Sequence, residues 1–219
     1  MLYGRAFRAP SYFELYNIQF GNDSLDAEKI DTVEVSLDAQ FNNSLSGRVG
    51  WFLSRLQDPI VPQETFPEQY MHYINGSNRR MEGLVIEMKY DVRKETYLAM
   101  NCTYELDNKR SLYILPRLRG NVMVNVLFAQ YFNFNAYCHF EDGFRRNRGD
   151  DRDDMSGYGI INTTLIAKNF WKHYKGFEIR GSVYNLFDKD YTSPTGKGQL
   201  PDDLRMPGRN FMVEVKYKF

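Results

Sequence analysis

Few residues in this 219-residue chain have types and spacings suited to chemistry. The three histidines, His72, His139 and His173, stand far apart and share no metal-ligand spacing, so neither a metal nor another cofactor is expected. His139 lies two residues before Glu141 and three before Asp142, which supplies a base and an orienting carboxylate, but no serine falls in its stretch. No catalytic set follows from that. The densest charge is the run Arg145, Arg146, Arg148, Asp150, Asp151, Arg152, Asp153, Asp154. Its arginines suit an anionic ligand or a phosphate and its carboxylates a divalent ion, while its balanced signs better suit a solvated, self-compensating loop. Arg146 and Arg148 are the candidate anion contacts. Tyr12, Phe13, Tyr16 and Phe20 form an aromatic group that fits either a ligand platform or interfacial anchors.

These residues must be held by something, and composition narrows what. With 28 basic and 28 acidic residues the chain lacks the basic excess of a nucleic-acid binder. No run approaches the length of a membrane-spanning helix, and mean hydropathy is negative. Aromatic residues, however, make up 16% of the chain, a share expected where strands cross two membrane–water interfaces. A barrel strand needs only every second residue to be apolar, so low average hydropathy is compatible with one wholly apolar face.

That alternation recurs along the chain. Phe211, Val213, Val215, Tyr217 and Phe219 alternate with Met212, Glu214, Lys216 and Lys218. Val33, Val35, Leu37, Ala39 and Phe41 do the same, as do Val122, Val124, Val126 and Phe128, and Phe132, Phe134, Ala136, Cys138 and Phe140. Ten strands are predicted over 1–8, 28–41, 46–58, 72–91, 95–106, 117–129, 132–145, 157–169, 177–189 and 209–219. Their connections alternate long and short, the pattern of an all-β, antiparallel up-and-down transmembrane barrel with long loops outside and tight turns in the periplasm. The first strand then climbs outward and the last descends to Phe219. Cys102 and Cys138 could pair in an oxidising compartment, but their parity puts both on the apolar face of non-neighbouring strands, which argues against a bridge. Ten strands either close a small barrel or form part of a larger one, because an open edge is not tolerated in lipid.

Four local patterns resemble the TonB-dependent receptors of the Gram-negative outer membrane. Tyr3-Gly-Arg-Ala-Phe7-Arg8-Ala9-Pro10-Ser11 with Glu14-Leu-Tyr16 is similar to the family's lead into an external loop. Gly21-Asn-Asp-Ser-Leu-Asp-Ala-Glu28 resembles its Gly-Asn-Pro-x-Leu-x-Pro-Glu stretch, with Asp23 and Ala27 where proline is expected. Val183-Tyr-Asn185-Leu186-Phe187-Asp188 resembles the penultimate-strand motif, and Pro207-Gly208-Arg209 leading to Phe219 resembles the family terminus.

The resemblance implies the C-terminal portion, about ten strands, of a twenty-two-stranded barrel, with neither plug domain nor signal peptide among residues 1–219. It implies active uptake of a scarce nutrient such as a ferric siderophore, with a small-molecule ligand in the intact receptor and TonB engaged only through the absent plug. Outer-membrane lipid and lipopolysaccharide are expected neighbours. Tyr217 and Phe219 look like the signal read by the barrel-assembly machinery. Residues 11–21 lack the histidine that haem receptors place there, which argues against haem. The competing expectations are a small self-closing barrel acting as a pore or membrane-embedded hydrolase, and a soluble β-rich domain whose apolar faces pack on each other.

Overall fold

The computed structural model describes residues 1–65, 70–106, 116–143, 146, 150–170, 176–195 and 200–218. In chain order the elements are β1 (Leu2–Arg8), α1 (Tyr12–Tyr16), β2 (Glu28–Gln40), β3 (Leu45–Gln57), β4 (Ile60–Thr65), β5 (Tyr70–Asn75), β6 (Arg79–Arg93), β7 (Thr96–Glu105), β8 (Leu118–Phe128), β9 (Phe132–Glu141), β10 (Tyr158–Lys168), β11 (Phe177–Tyr184), β12 (Thr192–Ser193), β13 (Leu204–Arg205) and β14 (Asn210–Tyr217). Ten of them form one antiparallel sheet in the order β1-β2-β3-β6-β7-β8-β9-β10-β11-β14. Sequence order equals spatial order once two hairpins, β4–β5 and β12–β13, are set aside.

The ten predicted strands are thus the ten of the sheet. The strand predicted over 72–91 divides: β5 belongs to a loop hairpin and β6 enters the sheet. The strand predicted to reach residue 189 ends with Tyr184, because Asn185 turns the chain with a φ of 51°. Neither loop hairpin nor α1 was foreseen.

Register carries the two-faced pattern from strand to strand. Leu98 pairs with Val124, Val124 with Ala136, Ala136 with Thr163, Thr163 with Val183, and Val183 with Phe211, an almost wholly apolar row. The adjacent row alternates to the other face: Tyr97, Asn125, Asn135, Thr164, Ser182 and Met212. A slip by one residue in any strand would exchange its faces, so this agreement over six strands fixes the register. Gly120 lies on the apolar face where a Cβ would meet Asn101 O at 2.5 Å and the Phe140 ring at 2.6 Å, so a larger residue would part the strands.

The apolar face is not packed. Among the described residues the buried apolar side chains are few, Ile60 and Ile160 with Pro59. Leu37 is 72% exposed and Val213 74%, on the face that a soluble β-domain would cover. The expectation of a soluble domain with its faces packed together is therefore overturned, and lipid is the medium this face suits.

Two compact units emerge from the packing. The first comprises Met1–Ser36, Gly50–Leu84 and Glu105–Tyr113, and contains α1 and the β4–β5 hairpin. The second comprises Leu37–Val49, Val85–Tyr104 and Ile114–Phe219.

Candidate functional site

In the first unit the chain leaves β1 at Arg8 and Pro10, and Ser11 starts α1 with a capping box. The Ser11 hydroxyl accepts from Glu14 N at 3.3 Å, and the Glu14 carboxylate accepts from Ser11 N at 2.7 Å. The same carboxylate receives Arg8 Nη1 at 2.9 Å and Nη2 at 3.0 Å, while Arg8 Nε donates to Glu28 Oε2 at 2.5 Å. Glu28 also accepts Ile60 N at 2.7 Å. One guanidinium thus ties strand β1, helix α1 and strand β2, a bidentate charge-assisted arrangement that a lysine would not reproduce. The Arg8 guanidinium holds the Glu14 carboxyl down at about 2. With its ends fixed, α1 presents Tyr12, 80% exposed, and Tyr16 with ring centres 5.1 Å apart, while Phe13 leans edge-on toward Tyr73.

The second unit carries a hydrogen-bonded column on its polar face. Asn121 Nδ2 donates to Asn101 Oδ1 at 2.9 Å, and its own Oδ1 receives the Tyr137 hydroxyl and lies 2.8 Å from His139 Nδ1. His139 Nε2 is 3.1 Å from Glu141 Oε1, and Tyr158 and Tyr191 continue the column with ring centres 4.9 Å apart. Both ring nitrogens of His139 are therefore engaged within the wall. Beside the column a groove of about 880 Å³ is lined by Asp38, Gln40, Arg48, Glu87, Lys89 and Tyr137.

Two external segments of this unit are clasped together. Arg146, only 5% exposed, bonds both oxygens of Asp203, lies 3.7 Å from Asp150, and donates through Nε to Asp153 O at 2.6 Å. Arg152 forks onto Asp150 at 2.9 and 2.8 Å and donates to Thr195 Oγ1 at 2.9 Å and Thr195 O at 3.0 Å. These arginines hold the Asp203 and Asp150 carboxyls low, Asp150 at about 2 through Arg152. A cavity of about 580 Å³ opens beside the clasp, bounded by Tyr158, Lys189, Tyr191, Asp202 and Arg205.

A third knot fastens the segment after β11. Asn185 is 3% exposed; its backbone N–H donates to Asn162 Oδ1 at 2.9 Å, its Oδ1 accepts Lys189 N at 2.8 Å, and its Nδ2 donates to Lys189 O at 2.9 Å and Pro207 O at 3.4 Å. Leu186 N bonds Ile161 O at 2.8 Å, and Asp188 Oδ1 accepts Arg209 N at 2.7 Å. A Cβ at Gly208 would approach Asp188 Oδ1 to 2.9 Å, which explains the glycine. Two motifs more than twenty residues apart in sequence are one turn-and-clamp in space.

Comparison with known proteins fits this architecture. Residues 2–186 match the model of the TonB dependent receptor-like β-barrel. The chain belongs to that family. Family membership places it in the outer membrane of Gram-negative bacteria. It is 26% identical over 223 residues to the vitamin B12 transporter BtuB of Vibrio vulnificus, an alignment covering 99% of this chain and 34% of that protein. Its fold is that of the ferric enterobactin receptor PfeA of Pseudomonas aeruginosa, TM-score 0.79 at 19% identity, covering 99% of this chain and 38% of that one. The siderophore receptor PirA of Acinetobacter baumannii gives a TM-score of 0.75 at 17% identity, with 99% and 38% covered. The chain thus spans a little over a third of the length of these relatives.

Within this family member the predicted residues that the structure describes fall into four places. Tyr12, Phe13 and Tyr16 stand together on α1, behind Phe7-Arg8-Ala9-Pro10, and Phe20 follows as a backbone partner of Tyr73. Arg146 is turned into the clasp rather than toward solvent, and Arg148 lies outside the described residues. Tyr217 closes β14 opposite Phe177, while Phe219 and His173 lie outside the described residues. Asn185, Leu186, Phe187, Asp188, Gly208 and Arg209 form the clamp. Sequence reading missed the Arg8 fork, although Ser-x-x-Glu at Ser11–Glu14 is a readable capping box. It also missed Asp203, which no motif marks.

Proposed function

We propose that this chain is the C-terminal share of the wall of a twenty-two-stranded receptor that imports a scarce nutrient, such as a ferric siderophore, using energy delivered through TonB. What supports the reading is membership of the TonB-dependent family joined to a sheet whose apolar face suits lipid and whose polar face carries a continuous hydrogen-bonding column. In this account the wall performs no covalent chemistry. His139 orders the column, and the exposed rings of Tyr12, Phe13 and Tyr16 receive a small-molecule ligand. TonB acts on the plug of the whole protein, and Tyr217 with Phe219 directs the barrel-assembly machinery.

Uptake of radiolabelled cobalamin, copper and a panel of ferric siderophores, measured in the host with this gene deleted and separately with TonB deleted, tests the reading. Loss of the same nutrient in both strains is expected. Uptake that depends on this gene but persists without TonB would instead indicate a pore.

A further inference from the structure

One junction of the first unit is held by a chemically labile residue pair. Asn75-Gly76 is the single Asn-Gly pair of the chain, and it ends β5 where three segments distant in sequence meet. Asn75 Oδ1 accepts Asp26 N at 2.8 Å, and Asn75 Nδ2 donates to Asp26 O at 3.0 Å and to Asp58 O at 2.8 Å. The carboxamide thus bonds as a peptide unit does, joining the segment before β2 and the turn before β4 at once. Three more bonds complete the docking of the β4–β5 hairpin: Asn22 Nδ2 donates to Tyr73 O at 2.9 Å, Tyr73 N to Phe20 O at 3.1 Å, and Asp58 N to Asn78 Oδ1 at 3.1 Å.

Neither residue of the pair is freely exchanged. A carboxylate at position 75 keeps the acceptor for Asp26 N but sets an oxygen where Nδ2 meets two carbonyl oxygens. A Cβ at position 76 would meet Val61 Cγ2 at 2.9 Å and Pro59 O at 3.4 Å, and Pro59 is fully buried. Bonding needs asparagine and close approach needs glycine. The junction therefore contains the dipeptide in which the following backbone nitrogen, unhindered by a side chain, attacks a carboxamide most readily.

The same bonds hold that attack off. Gly76 N donates to Pro59 O at 2.6 Å, so its proton is held by a carbonyl, and the Asn75 amide is pinned through both of its polar atoms. Reaction requires release of both, which is local opening of the hairpin away from residues 20–26 and 58–59.

We propose that Asn75 is a spontaneous modification site gated by undocking of the β4–β5 hairpin, and that its conversion makes the undocking permanent. In the opened state hydroxide takes the Gly76 N–H proton and the nitrogen attacks Asn75 Cγ. The Cγ–Nδ2 bond breaks, and the departing nitrogen takes a proton from water and leaves as ammonia. Water then opens the resulting succinimide at either carbonyl, giving aspartate or isoaspartate with no change in oxidation state. Aspartate sets a carboxylate oxygen against Asp26 O and Asp58 O, and isoaspartate lengthens the main chain by one methylene, so neither re-forms the junction.

The intact protein, folded in lipid vesicles and in parallel unfolded in urea, is incubated at mildly alkaline pH, and aspartate and isoaspartate at position 75 are measured by mass spectrometry of digests. Conversion should be roughly a hundredfold slower in the folded protein. Asn22→Ala and Asn78→Ala, which loosen the docking without touching Asn75, should each accelerate it about fivefold in the folded protein and leave the unfolded rate unchanged. Asn75→Asp, standing in for one product, should render the hairpin cleavable by a protease that wild type resists, and heat-dependent gel mobility verifies that each variant is folded. Equal rates in folded and unfolded protein overturn the proposal, as do folded Asn22→Ala and Asn78→Ala variants that convert no faster than wild type. A protease-resistant hairpin in Asn75→Asp overturns the permanence of the undocking.

Discussion

Asn185 holds the turn after β11 by its side chain and its backbone at once, so its replacement should cost the fold heavily. Its side chain makes three hydrogen bonds, two to Lys189 and one to Pro207 O, from a site 3% exposed, and its backbone sits at a φ of 51°. Each bond contributes about 1 kcal/mol net, and alanine in the left-handed region costs about 1 kcal/mol more than asparagine. Asn185→Ala should therefore destabilise by roughly 4 kcal/mol. Glycine keeps the backbone conformation and loses only the bonds, so Asn185→Gly should cost about 3 kcal/mol. Asp keeps the acceptor to Lys189 N and loses both donors, which puts Asn185→Asp near 2 kcal/mol. Reversible urea unfolding in lipid vesicles, followed by tryptophan fluorescence, ranks the three. An alanine variant within about 1 kcal/mol of wild type would refute the clamp. Glycine no better than alanine would refute the part assigned to the backbone.

Three further outcomes are expected. In a double-mutant cycle, Arg146→Ala and Asp203→Ala should be non-additive by about 1–3 kcal/mol, since they remove the two sides of one nearly buried ion pair; additivity would dissolve the clasp. The Glu14 carboxyl, held at about 2 against an ordinary 4.5, stabilises α1 fully above pH 4.5, and that contribution fades as pH falls from 4.5 toward 2. Proteolysis of the α1 segment, read with an acid-active protease, should therefore be constant down to about pH 4.5 and rise below it, and Arg8→Ala should weaken that dependence, leaving the part due to the Ser11 capping box. Cys102 and Cys138 are free, on strands β7 and β9 with β8 between them and two residues out of register, about 12 Å apart by strand spacing and rise, beyond the reach of a disulfide. Oxidant should leave electrophoretic mobility unchanged, whereas a shifted monomer band would mean a different strand order.

The ten-stranded sheet was legible because one physical rule, period two with a dry side, repeats in nearly every strand, and Val122–Phe128 or Phe132–Phe140 has no other good solution. The positions of the long loops, and the expected strand direction with them, came from the alternation of long and short connections. What escaped was held by contacts distant in sequence. The clasp joins Arg146 to Asp203 across 57 residues, and nothing local to Asp203 distinguishes it from Asp202. The charged run read as self-compensating is indeed compensated in part within itself, through Asp150 and Arg152, but it borrows Asp203 and Thr195 from another loop. Of the hairpin β4–β5, most of β5 was hidden inside the strand predicted over 72–91, while β4 lay in the connection between the strands predicted over 46–58 and 72–91. Asn185-Leu-Phe-Asp and Pro-Gly-Arg were visible as motifs, yet only the fold shows that they are halves of one clamp.

The most direct test of the two-faced wall is a cysteine scan along β8 in a background lacking Cys102 and Cys138. A fluorophore placed in turn at residues 121–128 of the membrane-inserted protein is quenched by a lipid-soluble and by a water-soluble quencher. Positions 122, 124, 126 and 128 should respond to the lipid-soluble quencher, and 121, 123, 125 and 127 should not. A profile without period two, or with its phase reversed, would contradict the account.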